Sequence, residues 1–243
     1  ILGWAMTALI AAFLLVLAAI AFREIAAIGR LARLDGLRQA ADTALADNDL
    51  AGARKVTQRL QSLYSSRPAT SWGRDRFADL KGDQMDAASL LALADTEILT
   101  PLDVLASREV EAAARQVATV TALVPLALAD VAAALTANLR MIRRIAEVYG
   151  GRSGFLGSWR LTRAVLSHMV ATGAVAVGDD LLEPVLGGTS IGKLSRRFGE
   201  GLVNGALTAR VGVAATEVCR PLPFAKGKRP KVRSIIKRAL GGL

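Results

Sequence analysis

The hydrophobic pattern opens with Ile1 to Phe22, in which no side chain is charged. As a helix this stretch rises roughly 33 Å, enough for a hydrocarbon layer of about 30 Å. It predicts a transmembrane helix. A signal peptide is the competing reading, but no basic region stands before the apolar run and no small-residue cleavage site follows it. Arg23, Arg30, Arg33 and Arg38 come directly after, and by the positive-inside tendency they place the rest of the chain in the cytoplasm.

Past Phe22 the pattern becomes amphipathic. Ile25, Ile28, Leu31 (or Ala32) and Leu34 recur at helical spacing, and Leu45, Leu50, Val56, Leu60 and Leu63 continue it in a second segment. The turn between them is expected at Asp47-Asn48-Asp49, with an Asx residue capping the next helix. Ser65-Ser66-Arg67-Pro68 breaks the run, and the residues to Asp83 read as a looser connection. A helix from Ala87 to Leu99 is expected to end before Pro101. A longer one then runs from Leu102 or Ser107 to Tyr149, kinked at Pro125 and stopped by Gly150-Gly151.

Within that long helix, Val117 to Leu139 holds a single ionisable residue, Asp130. A second membrane span and a buried helix of a soluble bundle share this composition. Asp130 at mid-span would cost roughly 2.5 to 3.5 kcal/mol, which favours the bundle. Its carboxylate then needs an internal partner, a hydroxyl or an arginine. Leu156 to Val177 predicts a further apolar helix carrying the only histidine, His168. Gly178-Asp179-Asp180 caps a short helix ending at Leu186, and a final long helix runs from Thr189 or Ser190 to Arg220.

The expected fold is therefore all-α: a membrane helix at 1–22, a helical linker or hairpin at 23–85, a helical domain at 86–224 and a basic tail at 225–243. Composition agrees, since 52% of residues are hydrophobic and only 5% aromatic, the signature of an alanine- and leucine-rich helical core. The chain begins Ile-Leu-Gly without Met, so a preceding segment is expected. A single cysteine, Cys219, forms no internal disulfide and fits a reducing compartment.

Few residues propose chemistry. Gly187, Gly192 and Lys193 make most of a Walker A loop, but Leu194 stands where Ser or Thr should hold magnesium, and Ser195 comes one place late. No strand precedes the loop, so an interhelical turn with Thr189 or Ser190 as N-cap is the reading. Asp179, Asp180 and Glu183 are read as helix-capping carboxylates rather than a metal cluster. His168 has no second histidine, and Ser167 beside it lacks nucleophile-elbow glycines. No catalytic residue, metal or cofactor is expected; Asp130 and His168 are candidate buried polar groups.

Two features point to association. Gly201, Gly205, Thr208, Gly212 and Ala215 share one face of the last long helix and predict close backbone packing, inside its own bundle or in a homo-oligomer. The charge of +10 sits almost wholly in the tail: Arg220 to Leu243 carries eight basic residues and no acid, against 23 basic and 21 acidic elsewhere. Lys226, Lys228, Arg229, Lys231, Arg233, Lys237 and Arg238 surround Ile235, Ile236, Ala239 and Leu240, an apolar edge with a cationic rim suited to the surface of a lipid bilayer. A solvated tail is the alternative. No aromatic residues interleave these charges, so nucleic acid is not expected as a partner.

Three runs, VTALVPLALADVAAALTANLRMIRRIAEVYG (Val120 to Gly150), SWRLTRAVL (Ser158 to Leu166) and GALTARVGVAATEVCRPLPF (Gly205 to Phe224), resemble the YcjF-like family of proteobacterial inner-membrane proteins. The likeness covers nearly the whole chain and is strongest from about Leu90 to Phe224, with Cys219-Arg220-Pro221-Leu222-Pro223-Phe224 its most specific motif. The resemblance implies a pair of membrane helices, of which Ile1 to Phe22 is the second, and a helical domain of unknown function. It also implies genetic neighbourhood with a GTPase-like stress protein and with envelope-stress genes. The function expected is a non-enzymatic inner-membrane scaffold or adaptor for a GTPase-like partner. A dynamin-like membrane remodeller and a channel or transporter are the alternatives.

Overall fold

The structure is a computed structural model that describes Leu15 and residues 34–123, 127–150, 155–171, 194–225 and 227–241. Every regular element among them is helical. We number the helices α1 (34–46), α2 (Leu50–Leu63), α3 (Ser71–Leu80), α4 (Ala87–Ala94), α5 (Thr100–Leu123), α6 (Ala127–Val148), α7 (Phe155–Ala171), α8 (Leu194–Cys219) and α9 (Val232–Leu240). No helix among the described residues is long and apolar enough to cross a membrane. The expected span at Ile1 to Phe22 lies outside them apart from Leu15, and so do the near-Walker turn at 187–193 and the acidic trio Asp179, Asp180 and Glu183.

The α1–α2 turn forms where the Asx residues stand. Asn48 takes a left-handed φ of 49°, a conformation its short polar side chain tolerates. Its Oδ1 accepts from the Ala87 amide (3.2 Å) at the start of α4, while Asp49 caps α2 by accepting from the Ala51 amide (2.9 Å). The stretch expected to be a looser connection contains α3 between two short 3₁₀ turns, Pro68–Thr70 and Lys81–Asp83. Its buried face is only Gly73 and Phe77, too narrow a stripe for periodicity to reveal.

The helix expected to stop before Pro101 instead continues from α4 into α5 through one π-helical turn, Asp95–Leu99. Pro101 has no N–H to give the carbonyl four residues back, Glu97. The chain widens there, and the Thr100 amide bonds to the Asp95 carbonyl, five residues back. Gly73 packs against the widened turn. A Cβ on Gly73 would lie 1.8 Å from the Glu97 carbonyl oxygen, so α3 can sit there only without a side chain at that position.

The single kinked helix expected up to Tyr149 is two helices, α5 and α6, and they run antiparallel: Thr121 bonds Asp130, Glu109 pairs with Arg144, and Asp103 meets Tyr149. A proline removes a helix donor and disfavours α geometry in the residue before it, so it ends a helix more readily than it bends one. Val117 to Leu139 is thus the ends of two elements and not one continuous rod.

The most extensive helix pair is α5 with α8. Gly201, Gly205 and Gly212 lie on Ala118, Ala114 and Val110 in antiparallel order, with Cβ positions 2.5 Å from the Ala118 oxygen, 3.0 Å from the Ala114 oxygen and 2.4 Å from Val110. Thr208 and Ala215 are buried on the same face. This small-residue face is therefore occupied by the chain's own α5. The core extends from Leu37 to Ala239, with Tyr64, Phe77, Leu99, Ile145 and Leu161 at its centre.

Candidate functional site: a buried arginine and its cleft

Arg220 follows the last turn of α8 and is only 2% exposed, although it carries a full charge. All its guanidinium donors are used. Nε and Nη2 reach the two oxygens of Asp103 at 3.0 Å each, a bidentate fork; Nη2 also donates to Asp95; and Nη1 donates to the Leu222 (2.8 Å) and Pro223 (3.1 Å) carbonyls. The Phe224 ring stacks on the guanidinium at 4.2 Å. The Pro221-Leu222-Pro223-Phe224 segment thus folds back over the side chain it follows. Two prolines with fixed φ hold that return.

Each partner is delivered by a different element. The π turn brings Asp95, α5 brings Asp103, and the end of α6 brings Tyr149, whose hydroxyl donates to Asp103 Oδ1 (2.6 Å). Tyr64, just after α2, donates to the Tyr149 carbonyl (3.2 Å). Lys228 reaches Asp95 Oδ2 (3.4 Å) and Thr96 Oγ1 (3.2 Å) from the solvent side. Burial disfavours the Arg220 charge, but the hydrogen bonds and charges of Asp103 and Asp95 outweigh it and hold the guanidinium protonated above its ordinary range. Burial pushes both tyrosine phenols well up. It pushes the Cys219 thiol up to about 12, against the opposing charge of Arg38. The raised phenols and thiol stay protonated near neutral pH, and the arrangement is a clasp tying α5, α6, α8 and the π turn together.

Asp130 accepts from Thr121 Oγ1 and from Asn204 Nδ2 (3.3 Å), between α5, α6 and α8. His168 Nε2 lies 2.8 Å from Glu217, which also pairs with Arg229. In the basic tail, α9 packs on α5 and α8 with Ile235 and Ala239 buried. Arg238 pairs with Glu111 (2.6 Å), and Arg115 donates to the Ala239 carbonyl (2.8 Å). Lys231, Arg233 and Lys237 remain exposed; Lys226 lies outside the described residues. The apolar edge read as lipid-facing is largely turned into the protein, because α5 and α8 offer it a drier surface. Among the described residues no cluster of His, Cys, Asp and Glu could hold a metal.

The sequence pattern singled out Cys219 to Phe224 as specific but assigned Arg220 no partner. Nothing in the local pattern marks Asp95, Asp103, Tyr64 or Tyr149 as its partners. The available signal was a charged residue inside an apolar, proline-bounded motif, which implies a buried countercharge somewhere in the chain.

The family model of the Domain of unknown function (DUF697) matches residues 85–243. The chain is 44% identical over 229 residues to a UPF0283 membrane protein of Mesorhizobium japonicum, covering 94% of this chain and 63% of that protein. To a UPF0283 membrane protein of Chelativorans sp. it is 42% identical, covering 97% of this chain and 67% of the relative. To one of Rhizobium leguminosarum bv. trifolii it is 43% identical, covering 97% and 66%. The chain spans about two thirds of the length of these curated relatives, each of which is named a membrane protein. No solved structure matches it. The chain belongs to the DUF697 family, among the UPF0283 membrane proteins that the YcjF-like resemblance anticipated.

Proposed function

We propose that this chain is a non-enzymatic adaptor, anchored in the inner membrane by its uncharged first segment, that presents a cytoplasmic helical domain to a GTPase-like partner in envelope stress. One observation carries the reading. On α6, Val131, Leu135 and Leu139 are 67%, 59% and 41% exposed. They recur every fourth residue along one stripe in the first half of the helix, turned away from buried Ala137; in its last two turns the same stripe is buried at Ile142 and Ala146. A contiguous apolar stripe left on the surface marks an interaction face. The small-residue face of α8 is occupied by α5 and is not available to a partner. The committed carboxylates of the Arg220 clasp and the raised thiol and phenols support a binding role over a catalytic one.

A photoreactive phenylalanine analogue at Leu135, in the full chain within native membranes, tests the reading. The expected product is a covalent adduct with a nucleotide-hydrolysing protein, suppressed by Val131→Asp. Adducts only with lipid, or only with a second copy, would remove the adaptor role. Calorimetry with GTP provides the second arm: binding by the purified chain that Lys193→Ala abolishes would move the nucleotide site onto this protein itself.

A further inference from the structure

Beside the Arg220 clasp opens a cleft of about 800 Å³, bounded by α5 on one side and by the segment from Phe224 into α9 on the other. That volume is in the range of small-molecule sites, roughly 300 to 1,000 Å³. Six cationic side chains line it against three carboxylates. All three carboxylates are already engaged, Asp95 and Asp103 with Arg220 and Glu111 with Arg238. Arg229 is paired with Glu217 outside the cleft, and the wall is still left with an excess of positive charge, carried by Arg108, Lys228 and Lys231.

Two of those cations, Arg108 on α5 and Lys231 at the start of α9, are exposed, and among the described residues their side chains make no ion pair or hydrogen bond. They stand on the two walls. Lys228 between them is held only by long contacts to Asp95 and Thr96, with 51% of its side chain exposed, and is free to turn toward a ligand. Ser107 adds a hydroxyl to the α5 wall. At the other wall, α9 begins without a side-chain cap and without an acid in its first turn, so nothing there competes for an anion. Arg220 contributes differently: its donors are spent, and it fixes the floor on which the movable cations stand.

We infer that this cleft binds a phosphate-bearing anion, either the headgroup of an acidic lipid or a free phosphate compound, clamped between Arg108 on α5 and Lys228 and Lys231 on the opposite wall. Lysine supplies point charges, while the arginine fork takes two phosphate oxygens at once. The inference stands on a different surface from the α6 stripe and does not rest on the adaptor reading.

The test follows the acetylation rates of Lys231 and Lys228 by mass spectrometry in the full chain, held in phosphatidylcholine nanodiscs with and without inorganic pyrophosphate. A parallel set replaces part of the lipid with phosphatidylglycerol. The expected result is protection of both lysines, with Lys237 on α9, which does not line the cleft, labelled at an unchanged rate. Arg108→Gln should weaken that protection about tenfold, the ratio that about 1.4 kcal/mol of lost contact produces. Protection by pyrophosphate identifies a free phosphate compound as the ligand class; protection by phosphatidylglycerol alone identifies a headgroup. Absence of protection in both sets overturns the inference. So does protection that includes Lys237 equally or persists undiminished in Arg108→Gln.

Discussion

Removing the Arg220 guanidinium would leave Asp95, which is buried, with only the long contact to Lys228, and Asp103, which is mostly buried, with only the Tyr149 hydroxyl. Deleting one partner of a buried pair typically costs about 3 to 5 kcal/mol, because the charge left behind has been taken out of water and has lost its main partner. Arg220→Met should therefore lower unfolding stability by that amount in urea titrations of the solubilised chain. Arg220→Lys should recover little, since an ammonium cannot span Asp103 with two parallel bonds while also reaching Asp95 and the Leu222 and Pro223 carbonyls. A loss below about 1 kcal/mol in either variant would mean that the clasp is incidental to the fold. Burial raises the Cys219 thiol from 9.0 to about 12, so the folded chain keeps this proton where the unfolded chain releases it. Stability from this group is fully present below pH 9.0 and is lost as pH rises through about 12. Tyr64 and Tyr149 act in the same sense above 10.0. Melting temperature should fall steeply above about pH 9, less so in Cys219→Ala, and the native thiol should resist alkylation until the chain unfolds.

Between elements, glycine substitutions separate packing from helix propensity. Gly36 in α1 has open space around its Cβ position, whereas those of Gly201 and Gly212 are already occupied by α5. Alanine at Gly36 should stabilise by about 0.5 to 1 kcal/mol. Alanine at Gly201 or Gly212 should instead destabilise by about 1 to 3 kcal/mol, as α5 is pushed away. If all three changes stabilised alike, the α5–α8 contact would not be as close as the structure has it. The sequence displayed the spacing of Gly201, Gly205 and Gly212 plainly but not the surface that fills it, because a small-residue stripe reads the same against its own chain or a second copy. Helices with broad apolar stripes, such as α2, were legible, as was the Asn48 turn. What escaped was non-local or narrow. The π turn answers to Pro101 and to Gly73 on another helix, and α3 buries one large side chain. Long-range caps were equally hidden. Arg38 donates to the Glu217 (2.5 Å) and Arg220 (2.6 Å) carbonyls at the end of α8, Arg67 reaches the Glu147 and Val148 carbonyls ending α6, and Arg115 reaches Ala239 near the end of α9. Three helix C-termini thus take their cations from distant segments, which also complements their dipoles.

At the scale of the molecule, the basic C-terminal segment divides into two faces with separate physical roles. Ile235 and Ala239 of α9 are buried in the common core, while Arg115 and Glu111 of α5 tie its backbone end and Arg238 in place. Lys231, Arg233 and Lys237 point to solvent. A detachable arm and a docked helix make opposite forecasts on shortening. Ending the chain at Phe224 removes the Ile235 contact, worth about 1.5 to 3 kcal/mol of apolar burial, and leaves Glu111 and Arg115 without the partners that α9 supplies. We expect a lower unfolding midpoint and faster hydrogen exchange along the α5 face that α9 covers. Changing Lys231, Arg233 and Lys237 together to Gln should leave the midpoint within about 0.5 kcal/mol, as exposed substitutions usually do. Equal stability of the shortened and intact chains would show that α9 contributes nothing to the core. A shortened chain that is less stable, beside a neutralised chain that is not, assigns the apolar face to folding and leaves the cationic face available for an anionic surface or ligand.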